Sequence, residues 1–355
     1  MSEQDARCGD AAARAAVGSR PASIRDVAHL AGVSMQTVSR VTTGNGPVSA
    51  LSRSRVEEAM RTLGYRPNRV ARALRSGRSH MVGLMVDYLE TFGSRQMLNS
   101  VLRAASSRGY GLTLIPRELD GRLRQSAPFV AGLDLDGLIV NAGGALSEQV
   151  ADLFPEVPVV ALGTVVKPAA DWSSVDMDQG LISRIAVEHL IGLGHRAIAH
   201  VGGDSDDPVA TARAEGYERA MRAHGLEPLT VDYAGWWAAD GYLAGERIVG
   251  HCPRCTAVYA ANDTLAMGVI QALRARGIDV PGRISVVGVD DSVGGYYAVN
   301  ELTTVRQRYD EVAGTVMDIL DAAIRGERDV RRVRVESELV VRSTTASVRS
   351  CVDGR

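Results

Sequence analysis

Residues 23–41 read SIRDVAHLAGVSMQTVSRV. Ser23 with Asp26 three positions on forms a capping box, both side chains placed to satisfy free amides, so a helix is expected to start there. Ile24, Val27 and Ala28 fall on one face, and Gly32 ends the run where a left-handed backbone is easiest. Val33 then points inward. Ser34 is placed to cap a second helix from about Met35 to Val41, with Val38 and Val41 inward and Met35, Gln36, Ser39 and Arg40 outward. The polar block follows Gly32 because the second helix presents it near its amino end. Two short helices across a glycine turn make a helix-turn-helix, and Gln and Arg are the side chains that pair with adenine and guanine edges in the major groove. Taken alone, the stretch also allows two small packed helices with ordinary surface polarity.

Outward from there, VSALSRSRVEEAMRTLGYRPN (48–68) predicts a third helix with Val56, Ala59, Met60 and Leu63 on one side, closed by Gly64 and sealed by Tyr65. Pro67 stops any continuation, and Asn68 can cap the short RVARALRSG (69–77). That segment is too short to be helical unless something orders it. DNA is the obvious candidate, because residues 23–79 hold ten arginines against three acidic residues, a balance of +7. The rest of the chain holds 30 basic and 39 acidic residues, so a basic head precedes an acidic body. Clustered arginine is the footprint of a phosphate-backbone binder, although a solvated basic face has the same composition.

Residues 23–79 resemble the DNA-binding headpiece and hinge of the lactose-repressor (LacI/GalR) family of bacterial transcription regulators. IRDVAHLAGVS, QTVSRV, GYRPNRVARALRSG and the following VGLMV carry the match. The resemblance implies that Gln36 and Arg40 read bases, with Met35 beside them where some members carry a tyrosine. It also implies that Leu74 wedges into the minor groove at the centre of the operator, bending the duplex. Asn68 and Arg69 would set the hinge against sugars and phosphates, as Thr37, Ser39, Asn45 and Tyr65 would nearby.

At 355 residues the chain exceeds what one core usually serves, and 45% hydrophobic with 23% charged residues is ordinary globular composition. From Met81 short apolar runs alternate with longer amphipathic segments. MVGLMV, YGLTLI, LDGLIV and PVVALG read as buried strands of one series. SSVDMD, AIAHVGG, LTVDYA, AVYAAND and ISVVGVDD read as a second series. Two series give two doubly wound α/β lobes, and ligands in such folds bind beyond the carboxyl ends of the strands, where Asp87, Asn262, Asp263, Asp290 and Asp291 stand.

The same resemblance extends over residues 81 to about 345, on VEHLIGLGHRAIAHVGG, RAEGYERAM, AANDTLAMGVIQAL, ISVVGVDD and LTTVRQ. It implies an effector-binding core related to periplasmic sugar-binding proteins. Position by position, Arg213, Asn262 and Asp290 become ligand contacts, and Trp236 of AGWWAADG an aromatic packed on the ligand. Asp87 and Tyr309 would border the cleft. Arg, Asn and Asp suit hydroxyl pairs while an indole covers an apolar ring face, and a purine could stack there too. Gly163 stands where some sugar binders have an aspartate. Each residue has a plainer reading: Arg213 in a surface ion pair, Asn262 and Asp290 as helix caps, Trp236 as core.

The expected organisation is therefore a small all-α helix-turn-helix headpiece plus an α/β core of two doubly wound, periplasmic-binding-protein-like lobes. Residues 1–22 form a disordered arm, 23–66 the DNA-binding domain, 67–79 the hinge helix and linker, 80–345 the effector-binding and dimerisation core, and 346–355 a flexible tail. The tail lacks heptad leucines, so no terminal coiled coil is expected. Four scattered cysteines fit a reducing compartment, and Cys252 and Cys255 in HCPRC read as a chance pair in a surface loop rather than a zinc site. The first 21 residues carry no apolar core of the signal-peptide kind, and no run is long enough to span a bilayer; a cytoplasmic protein is expected. No P-loop, no G-x-G-x-x-G between strand and helix and no paired histidines at ligand spacing occur, so neither catalysis, cofactor nor metal is expected, and His189, His195 and His200 read as structural. The expected partners are double-stranded operator DNA, a small sugar-like effector and a second copy of the chain. The rival is a solute-binding protein of a transporter, which the body alone would fit.

Overall fold

Ser23 opens the first helix of the computed structural model as a capping box. Its hydroxyl accepts from the Asp26 amide at 3.4 Å, while the Asp26 carboxylate accepts from the Ser23 amide at 2.8 Å. The structure describes residues 22–43, 46–66, 77–86, 89–116, 132–141, 150, 153–163, 171–233, 235–292 and 301–348. Backbone contacts divide the chain into two units, Met1–Ser79 and His80–Arg355.

In the first unit α1 (Ile24–Ala31) ends at Gly32, whose φ of 64° is the left-handed conformation its lack of a Cβ permits. Helix α2 (Met35–Thr43) starts on Ser34, whose hydroxyl takes the Thr37 amide at 3.1 Å. Helix α3 (Ala50–Leu63) is capped by Ser49 and closed by Gly64 at φ 60°. Val27, Ala28, Ala31, Val38, Val56 and Ala59 form the core, with Ile24, Val33, Val41, Met60, Leu63 and Tyr65 packed around it. So small a core leaves the caps a large share of its stability. Ser23→Ala removes the acceptor of one helix-start amide at about 1 kcal/mol, so exchange of the amides of residues 24–31 should quicken about fivefold in the full chain. Unchanged protection would show that the box contributes nothing.

The second unit holds two six-stranded sheets. Strands β1 (Met81–Val86), β2 (Gly111–Pro116), β3 (Gly137–Asn141), β4 (Val159–Leu162) and β5 (Ser173–Asp176) lie in the first. The second is built from β6 (Ile198–Gly202), β7 (Leu229–Tyr233), β8 (Ala257–Ala260), β9 (Ser285–Val289) and β10 (Thr303–Arg306). Each gains one short late strand, β11 (Arg332–Arg334) beside β5 and β12 (Glu338–Val340) beside β10. Only β10–β12 is antiparallel. The orders β2-β1-β3-β4-β5-β11 and β7-β6-β8-β9-β10-β12 repeat one doubly wound plan.

Both faces of each sheet are covered, as the near-continuous apolar runs require. On β1, Val82, Leu84 and Val86 pack under α4 (Phe92–Ser107) and α9 (Tyr309–Ile324), while Met85 faces Phe154 and Trp172 on the other side. In the second lobe α5 (Gln179–Gly192) and α6 (Pro208–Ala223) cover one face. Helices α7 (Ala238–His251) and α8 (Asp263–Ala275) cover the other.

The structure departs from the sequence pattern in three places. SSVDMD reads as a member of the second series, but β5 pairs with β4 in the first sheet, and the chain crosses over only after it. Strand-helix alternation carries no information on which sheet a strand joins; register with a neighbour does. The chain then crosses twice more, between β10 and α9 and between β11 and β12. The tail assigned from 346 is tied down at its start, because Ala346 donates to Ser285 Oγ at 3.0 Å and Val348 to the Leu193 carbonyl at 3.1 Å. Finally, Cys255 is buried in the second lobe's core rather than in a surface loop; its thiol donates to the Ala257 carbonyl at 3.1 Å, and burial pushes its pKa up to about 11. A thiol so held is a small apolar side chain, not a nucleophile. No group of His, Cys, Asp or Glu able to hold a metal occurs among the described residues.

Candidate functional site

In the first unit Val38 turns inward with no exposure, which throws Met35, Gln36 and Arg40 outward on the first two turns of α2, Met35 at 48% exposed. Thr37 and Ser39 are half-buried beside them, and the Thr37 hydroxyl lies 3.0 Å from that of Ser34. Tyr65 packs half-buried against the small core. An exposed amide and guanidinium on a short helix seated on two others is a surface shaped for a groove. Asn45, Asn68, Arg69 and Leu74 lie outside the described residues, as does Asp87 of the second unit.

In the second unit the strand ends and crossovers of both lobes converge on one cleft with an open volume of about 640 Å³, its mouth included. Arg213, Trp236, Asn262, Asp290 and Tyr309 all line it. Arg213 comes from the second turn of α6 and is only 4% exposed. Its Nε donates to Gln179 Oε1 at 2.8 Å, its Nη1 to the Ala261 carbonyl, and its Nη2 lies 4.0 Å from Asp290 Oδ1. Asp290 follows β9 with φ at 111°, a strained conformation for a residue with a side chain. Its Oδ1 also accepts from Gln307 Nε2 at 2.5 Å and from the Tyr309 hydroxyl at 3.0 Å.

Asn262 serves two purposes. Its Oδ1 caps α8 by accepting from the Leu265 amide at 2.7 Å, and its Nδ2 donates to the Trp236 carbonyl at 3.2 Å. The Trp236 indole, 9% exposed, belongs to the second-lobe core and lines the cleft as well, with the Arg213 guanidinium 5.8 Å from its centroid. Its Nε1 donates to Asp207 Oδ2 at 3.0 Å. The cap and core readings of Asn262 and Trp236 therefore hold together with cleft placement, whereas Arg213 is no surface ion pair.

Burial sets the electrostatics. It raises the Asp290 pKa, opposed by Arg213 and by the Gln307 and Tyr309 hydrogen bonds. Asp263 beneath it is pushed up to about 7 by burial and then by the Asp290 charge, against three bonds from Thr304 and Ser292. Burial likewise lowers His195, held by Thr256, Ser285 and the Ala346 carbonyl. His200, stacked between Tyr217 and Tyr259 at 4.9 and 4.8 Å, is lowered to about 4 by burial. A buried neutral histidine must charge on unfolding in acid. Its contribution is complete above pH 6.5 and is lost as pH falls towards 4, about 3 kcal/mol in all. Asp263 acts oppositely, its raised value giving stability that is present below pH 3.8 and lost as pH rises through about 7. His200→Phe should therefore lose less stability than the parent chain between pH 7 and 4.5, read from urea midpoints. Equal losses would mean that the ring is not held neutral.

The cleft has further side chains that sequence reasoning missed: Thr91 and Ser94 at the start of α4, Asn141, Gln179, Asp207 and Gln307. Asn141 ends β3, so the strand-end rule used for Asn262 and Asp290 applies to it equally. Asp207 stands before Pro208, the pattern of a helix start. Gln179 and Gln307 sit at crossovers, which no local pattern announces.

A helix-turn-helix unit ahead of a two-lobed α/β body with one polar cleft defines a ligand-responsive DNA-binding transcription regulator. Residues 23–68 match the family model described as bacterial regulatory proteins, lacI family, and residues 187–345 that of a periplasmic binding protein-like domain. The ribose operon repressor of Escherichia coli (strain K12) is 32% identical over 311 residues, 84% of this chain and 92% of that protein. Among solved structures, the lac repressor dimer bound to operator and the anti-inducer ONPF matches with a TM-score of 0.74 at 28% identity, covering 92% of this chain and 100% of that one. The transcriptional regulator CelR–cellobiose complex matches with a TM-score of 0.66 at 30% identity, covering 91% and 99%. The chain belongs to the lacI family of bacterial regulatory proteins.

Proposed function

We propose that this chain is a repressor that binds a palindromic operator as a homodimer and is released from it by a small sugar-like effector in the cleft. The observation that carries the reading is the burial of Arg213, Asn262 and Asp290 around a polar cleft in a chain that also presents Gln36 and Arg40 on a helix-turn-helix. Arg213, Asn262 and Asp290 bond to ligand hydroxyls, Trp236 covers a ring face, and Tyr309 and Asp87 border the opening. The relatives named above include a ribose operon repressor and a regulator solved with cellobiose, which supports a saccharide here.

On the DNA side Gln36 and Arg40 read base edges beside Met35, while Thr37, Ser39, Asn45 and Tyr65 hold the backbone. Asn68, Arg69 and the Leu74 wedge act in the hinge of residues 67–79, between a DNA-binding domain of residues 23–66 and the core from residue 80. The protein works in the cytoplasm; no helix among the described residues is long and apolar enough to cross a membrane. Effector binding changes the angle between the lobes, which separates the paired hinges and melts them. A gel shift with the promoter of its own or a neighbouring gene should give a salt-sensitive, palindrome-dependent complex that a saccharide weakens. No shift at low salt, with or without candidate ligands, would remove the regulator reading.

A further inference from the structure

The charged side chains lining the cleft, among the described residues, are two carboxylates, Asp207 and Asp290, and one guanidinium, Arg213. The guanidinium is already engaged on Gln179, on the Ala261 carbonyl and towards Asp290. Helices α4, α5, α6, α8 and α9 all begin at the cleft, and the free amides of a helix start ordinarily favour an anion. In the first four of these starts the capping side chain takes one amide, whereas α9 has no side-chain cap and carries Asp310 and Glu311 in its first turn. Thr91 takes the Ser94 amide at 3.3 Å, Asp178 that of Leu181 at 3.0 Å, Asp207 that of Val209 at 2.8 Å, and Asn262 that of Leu265 at 2.7 Å.

Asp207 has a second role, and it takes both carboxylate oxygens to fill the two. While Oδ1 caps α6, Oδ2 accepts from the Trp236 indole at 3.0 Å. The six-membered ring of that indole lies on Gly203, where an added Cβ would come within 2.5 Å of it. The indole plane is thus set by a carboxylate at its edge and a bare backbone at its face.

We infer that Asp207 is a specificity-determining residue: it fixes Trp236 and closes the start of α6 to anions, so that the cleft takes a neutral, hydroxyl-bearing ring and rejects its phosphate ester. The inference rests on the reading of the cleft as a saccharide site. A phosphate would meet two carboxylates against one guanidinium that is already engaged.

The test is calorimetric titration of the full chain with neutral mono- and disaccharides and with the phosphate monoesters of the monosaccharides. At least one neutral compound should bind, and its ester about a hundredfold more weakly or worse. Asp207→Ser keeps a capping hydroxyl but not the indole's acceptor. It should weaken the neutral ligand about tenfold and narrow the neutral-to-ester ratio by a similar factor. A purely structural loss would weaken both ligands alike; an unchanged ratio in Asp207→Ser, or in Asp207→Asn should the serine variant fail to fold, overturns the role of Asp207. An ester that binds as tightly as its parent overturns the neutral-ligand inference. If no compound binds, the saccharide reading falls and takes this inference with it, a result told apart by operator selectivity persisting in the same preparation.

Discussion

Arg213→Ala is expected to abolish effector binding and to cost the full chain about 3 kcal/mol of stability, while operator binding at low salt persists. The guanidinium holds Gln179 Oε1, the Ala261 carbonyl and the charge of Asp290 in one buried place. Its loss leaves three acceptors short of a donor, although Gln307 and Tyr309 still serve Asp290, which keeps the penalty at the lower end for a broken buried pair. Arg213→Lys restores the charge without the fork that reaches Gln179 and Ala261 together, so it should recover part of the stability and little of the binding. Urea unfolding and ligand titration on the same preparations check both. A variant that keeps its ligand, or loses under about 1 kcal/mol, would show that Arg213 is not the cleft's anchor.

The second large effect is expected on the DNA side. Arg40 lies exposed on α2, in the unit whose packing turns Val38 inward. A paired hydrogen bond from arginine to guanine is worth about 1–3 kcal/mol of discrimination, and a dimer makes it twice. Arg40→Ala should therefore weaken the specific operator by about a hundredfold while scrambled duplex of the same length changes little. Arg69→Ala should behave otherwise, weakening every duplex alike and reducing the salt slope of the dimer by about two, one for each protomer. Anisotropy titrations on operator and scrambled duplexes at several salt concentrations separate the two patterns. Equal loss on both duplexes for Arg40→Ala would move that residue from base reading to backbone contact.

Much of this was legible in the residues themselves, for local reasons. Ser23, Asp26, Gly32, Ser34 and Gly64 announce their helices because caps and left-handed turns are decided within four positions. Strands β1, β3, β4, β6, β8 and β9 announce themselves by buried apolar runs, whereas β2, read as buried too, leaves most of its residues partly or fully exposed. What escaped was long-range. β5 reads like any other strand, and only its register with β4 places it in the first sheet. β11, RVR, has charged residues at both ends and no apolar run at all. In the cleft, Arg213, Trp236, Asn262, Asp290 and Tyr309 were reached through motif and strand-end position. Gln179 and Gln307 were missed because a crossover between lobes has no period to detect. Asp207 was missed because a helix cap and an indole acceptor look identical in sequence to a helix cap alone.

In the proposed function one end of the chain reads a duplex while the other holds a small ligand that controls the reading. The direct measurement is anisotropy of the full chain on a labelled palindrome from its own promoter, with scrambled duplex as competitor, before and after a saccharide that raises the melting temperature of the protein. A palindrome preference of about a thousandfold or more is expected, falling sharply once the ligand is added. Equal affinity for both duplexes, or a preference that the bound ligand leaves unchanged, would contradict it.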